Sequence, residues 1–501
     1  MLVIISDLHL SDNSFGRTID AGACRMLHSM LLELAAQASW RADGCYRPLD
    51  RIDIVLLGDI LDIIQSDFWI KNEVRPWPDP FSRKTIDAVS NITDRILKAN
   101  SEFALNLREL SRIPIVATSA SPDSSRNSDG VGASRSIPLR MHYMVGECDW
   151  PLHLPGAGYD LVRHKVMQTL GLANAFDRPF PTKQHESAEL DQILSAHGVY
   201  AHHGNAHDPI SHFADPHRPC LANVLSVELL QRFVMETAES AGKGLPAALA
   251  TRLLELFDRR PIQNVARYLN ALLADSIRSP SLLRRYRENW NTAVGNALEV
   301  FKSQHSTSTD QSATLRELAG SLFISTKTVE ESNPVPDSSE FTAESLREHA
   351  QAEPALQKGQ ARYAVYGHAQ QHDYCALPTK QTIDGPVEQI YFNCGSWRPS
   401  FPSSVNANKP YSSRPEQQFS MLVFYKEDER CGRPYETWHG TLAPPRPVER
   451  PVVIHKPENS FRAVRSMVKA SAINRPHFLA PADAKPLSSS SRTVEHSDSG
   501  N

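Results

Sequence analysis

The sequence predicts an α/β fold, and two observations near the N-terminus carry this prediction. Two short apolar runs, Leu2–Ile5 and Ile52–Leu57, are rich in β-branched residues, as is typical of buried strands. Between them, residues 18–38 carry apolar side chains at helical spacing. Strand, helix and strand in this order form the repeating unit of an α/β protein.

Both predicted strands end in residues that can bind metal ions. Asp7 and His9 follow the first strand, and Asp59 and Asp62 follow the second, directly after Gly58. Ligands of open α/β sheets bind beyond the carboxyl ends of the strands, and carboxylates with an imidazole suit a divalent metal ion. One Asp-x-His triplet is common by chance, whereas two such blocks after successive strands are a much stronger signal. The alternative is that the aspartates only cap loops.

The same alternation continues through residues 1–221, which we expect to form the first part of the core. The remaining predicted elements are a helix at 83–110, strands at 113–117, 141–145 and 199–201, a loop at 119–136 and a helix at 159–170. Glu147 and Cys148 follow the strand at 141–145, and His203 follows the strand at 199–201. His202 or His207 could take the place of His203.

The pattern becomes purely helical in residues 222–304, which predicts an all-helical insertion. The helices are expected at 225–241, 247–258, 262–277 and 282–302. In the last of them, residues 284–287 and Trp290 form a basic and aromatic stretch. We interpret it as a solvated helix face, and the alternative is a surface for an anionic substrate or a lipid.

Strand patterns return in the second half of the chain. Residues 305–360 are mostly polar and predict a flexible connector. Residues 361–443 predict the second part of the core, with strands expected at 362–366, 389–392, 420–425 and 435–439. His368 and Gln370 follow the first of these strands, and Arg398 follows the second. Residues 444–501 are rich in proline and serine and predict a disordered tail.

Composition narrows the class of protein. The 501-residue chain has a net charge of −4, so nothing in its overall balance indicates a nucleic-acid partner. Its seven cysteines include no Cys-x-x-Cys pair, which favours a reducing compartment. The N-terminus lacks the basic region and apolar core of a signal peptide, and no apolar run approaches the roughly 18 residues of a membrane span. We therefore expect a cytoplasmic protein.

These blocks resemble the motifs of the calcineurin-like metallophosphoesterases, in the same order. That family has Asp-x-His, Gly-Asp-x-x-Asp, Gly-Asn-His-Asp/Glu, a later His and Gly-His-x-His. The matching blocks here are 7–9, 58–62, 146–149, 203–204 and 367–370, and the Asn-x-Gly-Ser-Trp turn at 393–397 also looks like the family. The resemblance covers about residues 1–215 and 361–440. It implies a four-layer α/β/β/α sandwich and two divalent metal ions.

The resemblance also implies the site residues. The metal ligands would be Asp7, His9, Asp59, Glu147, His203, His368 and Gln370, and the candidate catalytic residues are Cys148, Asp62 and Arg398. Asp59 is the natural bridging carboxylate. Arg398 would contact phosphate, unless it is an ordinary solvated arginine. Mn²⁺ is the preferred ion, with Fe²⁺, Zn²⁺ or Mg²⁺ as alternatives.

Four positions depart from the family pattern, and one of them is Asn205, which follows His203-Gly204 where several relatives have aspartate. Glu147 replaces an asparagine ligand and adds a negative charge, and Gln370 replaces the last histidine ligand with a weaker amide oxygen. Cys148 replaces the histidine that protonates the leaving group, which a thiol does poorly. We expect Cys148 either to act in catalysis or only to fill the space of the lost imidazole.

The function implied is hydrolysis of phosphoester bonds in a phosphorylated small-molecule or lipid-like substrate, with weakened catalysis. The alternative is a catalytically impaired relative that keeps the fold and serves as a binding or scaffold module. The altered residues at 147, 148, 205 and 370 are the feature that favours this alternative. A nuclease has little support, because no basic stripe flanks the predicted site.

Overall fold

Two mixed β-sheets, a two-stranded antiparallel sheet and a set of helices make up the described part of the chain. The computed structural model describes residues 1–16, 19, 21–112, 115–117, 135–241, 249, 252–258, 262–304, 309–325, 338–383, 385–400 and 416–442. The strands are β1 (Leu2–Ile5), β2 (Ile52–Leu57), β3 (Ile115–Ala117), β4 (Arg135–Ile137), β5 (Leu139–Met144), β6 (Val199–Ala201), β7 (Tyr363–Tyr366), β8 (His372–Thr382), β9 (Gly385–Cys394), β10 (Pro399–Ser400), β11 (Glu416–Phe424) and β12 (Tyr435–Leu442). The prediction of a mixed α/β protein is confirmed.

Helices connect and flank these strands. They are α1 (Ala21–Ala38), α2 (Phe68–Lys71), α3 (Arg83–Ala99), α4 (Ser101–Arg112), α5 (Ala157–Leu170), α6 (Ala188–Ser195), α7 (Leu221–Val224), α8 (Arg232–Ala241), α9 (Val265–Ser276), α10 (Pro280–Gln304), α11 (Thr309–Leu322), α12 (Ser338–Ala352) and α13 (Pro354–Gln357). The predicted helix at 83–110 is two helices, α3 and α4. Asn100 separates them, and its amide donates to the carbonyl oxygens of Ile96 and Ser11.

The strand order brings parallel strand ends together in each sheet. The first sheet runs β10-β11-β1-β2-β5, with β12 beside β11, and β1, β2 and β5 are parallel. The second sheet runs β6-β7-β9-β8, and β6, β7 and β9 are parallel. Strand β6 precedes the predicted insertion and β7 follows it. Their pairing therefore unites the two parts of the core.

Three apolar clusters lie against the two sheets. Successive residues of a strand point to opposite faces, so Val3 and Ile5 enter the first cluster and Leu2 and Ile4 enter the second. The first cluster also contains side chains of α1, α3, α4 and α5. The second joins residues of both sheets. The third joins β7 and β9 to α12 and α13.

The described part of the predicted insertion is helical except at residues 277–279. It contains α7, a π-helical stretch at Leu225–Gln231, α8, α9 and α10, and it shares the first apolar cluster with the first sheet. The basic and aromatic stretch of α10 agrees with our interpretation of a solvated face only at Arg284 and Arg285, which are exposed. Tyr286, Arg287 and Trp290 are all buried, because this face of the helix packs into the cluster.

Residues 305–360 differ from the predicted flexible connector. Helices α11, α12 and α13 form in the described part of this segment. Leu315, Leu318 and Leu322 repeat at helical spacing and are buried, which stabilises α11 although most of its residues are polar. The predicted tail at 444–501 and most of the predicted loop at 119–136 lie outside the described residues.

Strand β8 is absent from the sequence-based prediction. It lies at the edge of the second sheet and alternates between partly buried and exposed residues, so it has little apolar pattern.

Among the described helices, none has both the length and the apolar character needed to cross a membrane. All seven cysteines are free thiols.

Candidate metal centre

The loops after β1 and β2 run side by side and carry the first predicted ligands. The amide of Asp7 donates to the carbonyl oxygen of Gly58 at 3.1 Å, and the amide of His9 donates to that of Asp59 at 2.9 Å. The parallel pairing of the two strands thus continues into the loops. As a result, His9 Nε2 lies 3.4 Å from Asp7 Oδ1 and 3.8 Å from Asp59 Oδ2.

Five predicted ligands have a left-handed backbone. The φ angles are 54° at Asp7, 47° at His9, 53° at Asp59, 66° at His368 and 58° at Gln370. This region is unfavourable for residues with a Cβ atom, and such strain concentrates at functional sites. Its repetition at three strand ends indicates that these side chains are held for a purpose other than stability.

His203 projects into the same place from the second sheet. Its Nδ1 donates to the carbonyl oxygen of Leu57 at 2.8 Å, which leaves Nε2 as the lone-pair nitrogen of the neutral ring. Nε2 lies 3.5 Å from Asp59 Oδ2 and 2.9 Å from Glu147 Oε2. The close approach depends on Gly58, because a Cβ atom at this position would overlap the His203 ring. Of the three nearby histidines, His203 is the one placed at this centre.

His368 completes the convergence. Its Nε2 lies 2.9 Å from Asp208 Oδ2, and its Nδ1 lies 2.9 Å from Glu147 Oε1. Its backbone amide donates to Asp7 Oδ2 at 3.1 Å. Glu147 therefore faces both His203 and His368.

Several buried atoms at this centre make no well-aligned hydrogen bond within the described residues and meet one another only as ion pairs. They are Asp7 Oδ1, Asp59 Oδ2, Glu147 Oε2, His203 Nε2 and His368 Nδ1. Buried polar atoms are rarely left unpaired, and these atoms face one another at the distances given above. This is the arrangement expected of metal ligands, whose lone pairs point toward a common ion.

The donor groups fit one or more metal ions. Three sets of donor atoms lie within 4.8 Å of one another: Asp7, Asp59 and His203; His9, Asp59 and Cys148; and Glu147, His203 and His368. Asp59 belongs to two of these sets. One of its oxygens, Oδ1, accepts a hydrogen bond from the Cys148 amide at 2.8 Å, so Oδ2 remains to face His9 and His203.

Burial and charge shift the pKa values of these groups in opposite directions. Burial favours the neutral imidazole of His9, but hydrogen bonds with Asp62 and Asp7 outweigh it and raise its pKa to about 9. Burial likewise opposes protonation of His368, but the charge of Glu147 and a hydrogen bond with Asp208 raise its pKa to about 10. Burial opposes ionisation of Glu147, yet the charges of His368 and His203 hold its pKa well below the usual range.

Asp149 positions the turn that carries Glu147 and Cys148. Its Oδ1 accepts from the Gly146 amide at 2.7 Å, and its Oδ2 accepts from the Ile60 amide at 2.9 Å and the Tyr143 hydroxyl at 2.6 Å. Burial and the charge of Asp59 raise the pKa of Asp149 to about 7. The carboxyl group therefore joins the loops after β2 and β5.

Two of the predicted catalytic residues lie around His9. Cys148 is partly buried, and its thiol lies within 4.8 Å of donor atoms of His9 and Asp59. Asp62 Oδ2 lies 3.5 Å from His9 Nδ1, on the side of the ring away from the other ligands. The structure thus places Asp62 where it orients the imidazole.

Arg398 is buried rather than solvated. Its Nη2 donates to Gln65 Oε1 at 3.0 Å and to the Phe257 carbonyl oxygen at 2.8 Å, and its Nε donates to Asp258 at 3.2 Å. Phe257 and Asp258 belong to the helical insertion, which therefore holds this guanidinium. Its Nη1 lies 3.9 Å from Asp62 and has no hydrogen-bond partner in the described part of the chain.

Gln370 lies beside His9, with its Nε2 3.1 Å from His9 Nε2. It therefore reaches the side of the centre that Asp7 and His9 form. All seven predicted metal ligands lie around one place, at the carboxyl ends of β1, β2, β5, β6 and β7.

Sequence reasoning missed several residues that position the ligands. Asp208 contacts His368, and the Ser6 hydroxyl donates to Asp7 Oδ2 at 2.6 Å. The Asn223 amide of α7 donates to the Glu147 carbonyl oxygen at 3.0 Å. Ser6 directly precedes a predicted ligand, which is a usable signal. Asp208 and Asn223 lie in segments with no pattern that indicates their partners.

Comparison with known proteins gives no family assignment. The chain matches no protein-family model, and no curated protein matches it significantly.

Proposed function

We propose that this protein is a metal-dependent hydrolase of phosphoester bonds, similar to the calcineurin-like metallophosphoesterases. The observation that carries the proposal is the convergence of buried donor atoms of Asp7, Asp59, Glu147, His203 and His368 at one place. Carboxylates and imidazoles in this mixture suit divalent ions of the Mn²⁺, Fe²⁺ and Zn²⁺ group.

Two ions fit the donor groups better than one. Asp7, His9, Asp59 and Gln370 would hold the first, and Asp59, Glu147, His203 and His368 the second. Asp59 Oδ2 lies 3.8 Å from His9 Nε2 and 3.5 Å from His203 Nε2, so Asp59 would contribute to both groups of ligands. Mn²⁺ is preferred because it tolerates the amide oxygen of Gln370. When bound, the ions would activate a water molecule and neutralise charge on a phosphate.

The remaining residues would hold and orient the reacting groups. Asp62 fixes the ring of His9, and Asp208 fixes that of His368. Arg398 presents Nη1, the guanidinium nitrogen left without a partner in the described residues, toward Asp62, and it would offer this donor to a phosphate oxygen. Cys148 is a weak proton donor to a leaving group, so we infer slow turnover of substrates that need one.

The layering of the apolar clusters supports the family's four-layer sandwich. Helices pack on one sheet, the two sheets share a cluster, and α12 and α13 pack on the far side of the other sheet. Proteins with the same fold can have unrelated functions, so this order of layers supports the proposed fold and not the proposed activity.

A binding module is the second candidate, and the position of Glu147 favours it. Its two carboxylate oxygens each lie 2.9 Å from a histidine nitrogen. With both imidazoles protonated, these ion pairs neutralise part of the site without a metal. A protein of this kind would bind one ion or none and hydrolyse nothing.

The deciding experiment measures metal content and hydrolysis on the same sample. The full chain is depleted of metal, reloaded with Mn²⁺ and assayed with bis-p-nitrophenyl phosphate and p-nitrophenyl phosphate. We expect Mn²⁺-dependent hydrolysis that Asp59→Asn abolishes and that Asp215→Asn, where the side chain is half-exposed, leaves intact. Bound metal without hydrolysis of either ester, or of pyrophosphate, would favour the binding module.

A further inference from the structure

A second group of metal-type side chains lies on the other face of the second sheet. His202 and His203 are adjacent at the end of β6, and neighbouring residues of a strand point in opposite directions. His203 enters the candidate metal centre, whereas the ring of His202 packs on Tyr366 with ring centroids 4.1 Å apart. Around it lie His207, from the loop after β6, and Glu353, between α12 and α13.

The distances within this group match the edges of a metal coordination sphere. His202 Nε2 lies 3.0 Å from Glu353 Oε1, and His207 Nε2 lies 3.4 Å from the same oxygen. Ligands about 2.0–2.2 Å from a tetrahedral Zn²⁺ are separated by about 3.4 Å. All three donor atoms lie within 4.8 Å of one another.

A simple hydrogen-bond network explains only part of this arrangement. His202 Nε2 and the Tyr366 hydroxyl both lie 3.0 Å from Glu353 Oε1, so this oxygen already has two hydrogen-bond partners. His207 Nε2 is buried and has no hydrogen-bond partner among the described residues, although it faces the same carboxylate. An ion would satisfy this nitrogen, and the tyrosine would act as the outer contact that orients the ligand carboxylate.

We propose that His202, His207 and Glu353 bind one Zn²⁺ ion, separate from the candidate metal centre and independent of the proposed hydrolase activity. Two imidazoles and one carboxylate are a usual ligand set for zinc, with a fourth position left for water. The ligands come from β6, the loop after it and the α12–α13 junction. The ion would therefore fasten these two helices to the outer face of the second sheet.

The test is the number of Zn²⁺ ions bound by the full chain and by His207→Ala, measured by elemental analysis after equilibration and desalting. We expect the variant to bind one ion fewer than the natural protein. The difference does not depend on the candidate metal centre. If that centre is loaded, the natural protein should bind three ions and His207→Ala two. If it is empty, the natural protein should bind one ion and His207→Ala none. The matched control is His349→Ala, which removes the ring stacked on His207 at 4.4 Å and should leave the count unchanged.

Glu353→Gln provides a second variant in case His207→Ala folds poorly. It keeps the size of the side chain and an oxygen that accepts from Tyr366, but it removes the carboxylate charge. We expect it to lose the same ion, and Co²⁺ substituted into the natural protein should give visible absorption that both variants reduce. An equal metal count in the natural protein and either folded variant would overturn the proposal.

Discussion

The Asp208 carboxylate and the His368 ring are joined by a hydrogen bond of 2.9 Å at Nε2. Because an ionised carboxylate only accepts, Nε2 carries a proton, and Nδ1 is the nitrogen that would lose its proton to bind a metal ion. Nδ1 is the nitrogen that faces Glu147 and the other ligands. Carboxylates of this kind fix the tautomer and the orientation of metal-binding histidines. We therefore assign Asp208 as a positioning residue.

Replacing this carboxylate should weaken metal binding without unfolding the protein. For Asp208→Asn we expect metal affinity at the candidate centre to fall about 10–100-fold, measured by competition with a chromophoric chelator. Asp215→Asn, where the side chain is 48% exposed, is the matched control and should change nothing. Equal affinities in the two variants would mean that other contacts orient His368.

Gly58 should tolerate no side chain. Its φ angle is +85°, and a Cβ atom would overlap the ring of His203. The left-handed backbone alone costs an alanine about 1–2 kcal/mol, and displacement of His203 adds to this cost. We expect Gly58→Ala to lower the free energy of unfolding by about 2 kcal/mol or more and to weaken metal binding, as measured by urea denaturation and chelator competition.

Gly295 on α10 provides the opposite case as a control. No atom lies within 4 Å of the position of its Cβ, and its backbone is helical. Gly295→Ala should raise the free energy of unfolding by about 0.5–1 kcal/mol, because alanine favours the helix. A similar loss in both variants would show that Gly58 has no special role.

Metal binding should release protons and strengthen as pH rises. Without metal, the pKa of His9 is raised to about 9 and that of His368 to about 10, so both rings are protonated at neutral pH. A metal ion must displace these protons. We expect affinity to increase from pH 6.5 to 8.5, and calorimetry in two buffers of different ionisation enthalpy should show proton release. An affinity that is independent of pH would contradict the raised pKa values.

The same groups predict how the metal-free protein responds to alkali. Each raised pKa means that the folded state binds protons more tightly than the unfolded state, where histidine titrates near 6.5. The resulting stabilisation is complete below about pH 6.5 and is lost as pH rises through the folded values of about 9 and 10. We expect the melting temperature of the chelated protein to fall between pH 7 and 10 and that of the metal-loaded protein to fall less.

Local patterns were enough to predict the first half of the candidate centre. Strands β1 and β2 are fully buried, so their apolar runs are unbroken, and the ligands follow each run directly. The two parallel strands then determine that Asp7, His9 and Asp59 meet. No long-range information is needed for this step.

The choice among His202, His203 and His207 could not be made from the sequence. Strand β6 has only three residues, which is too short for alternation to show which face each side chain takes. The answer comes from the hydrogen bond between His203 and Leu57, which joins the two sheets. Likewise, the contact of Arg398 with Asp258 depends on how the helical segment packs, and no local pattern encodes it.

Substitution of Glu147 and Cys148 distinguishes the two proposed functions, the hydrolase and the binding module. Glu147 places a carboxylate beside an anionic substrate, and the Cys148 thiol is a weak acid where the family pattern has an imidazole. General acid catalysis is worth about 10²–10⁴-fold. The natural protein should therefore be slow with poor leaving groups and less impaired with p-nitrophenolate, which needs no proton.

The double substitution Glu147→Asn with Cys148→His should then raise turnover of an alkyl phosphoester by about tenfold or more, with a smaller effect on the p-nitrophenyl ester. The measurement is the hydrolysis rate per bound metal ion for both esters, so that a change in metal loading is not mistaken for a change in chemistry. The p-nitrophenyl ester serves as the internal control, because its good leaving group makes its rate depend much less on the proton donor. A fast natural protein that the substitution slows would show that Glu147 and Cys148 are adapted catalytic residues. If the double variant binds its full complement of metal but hydrolyses neither ester, the proton donor is present and the reaction is still absent. That result would favour the binding module over the hydrolase.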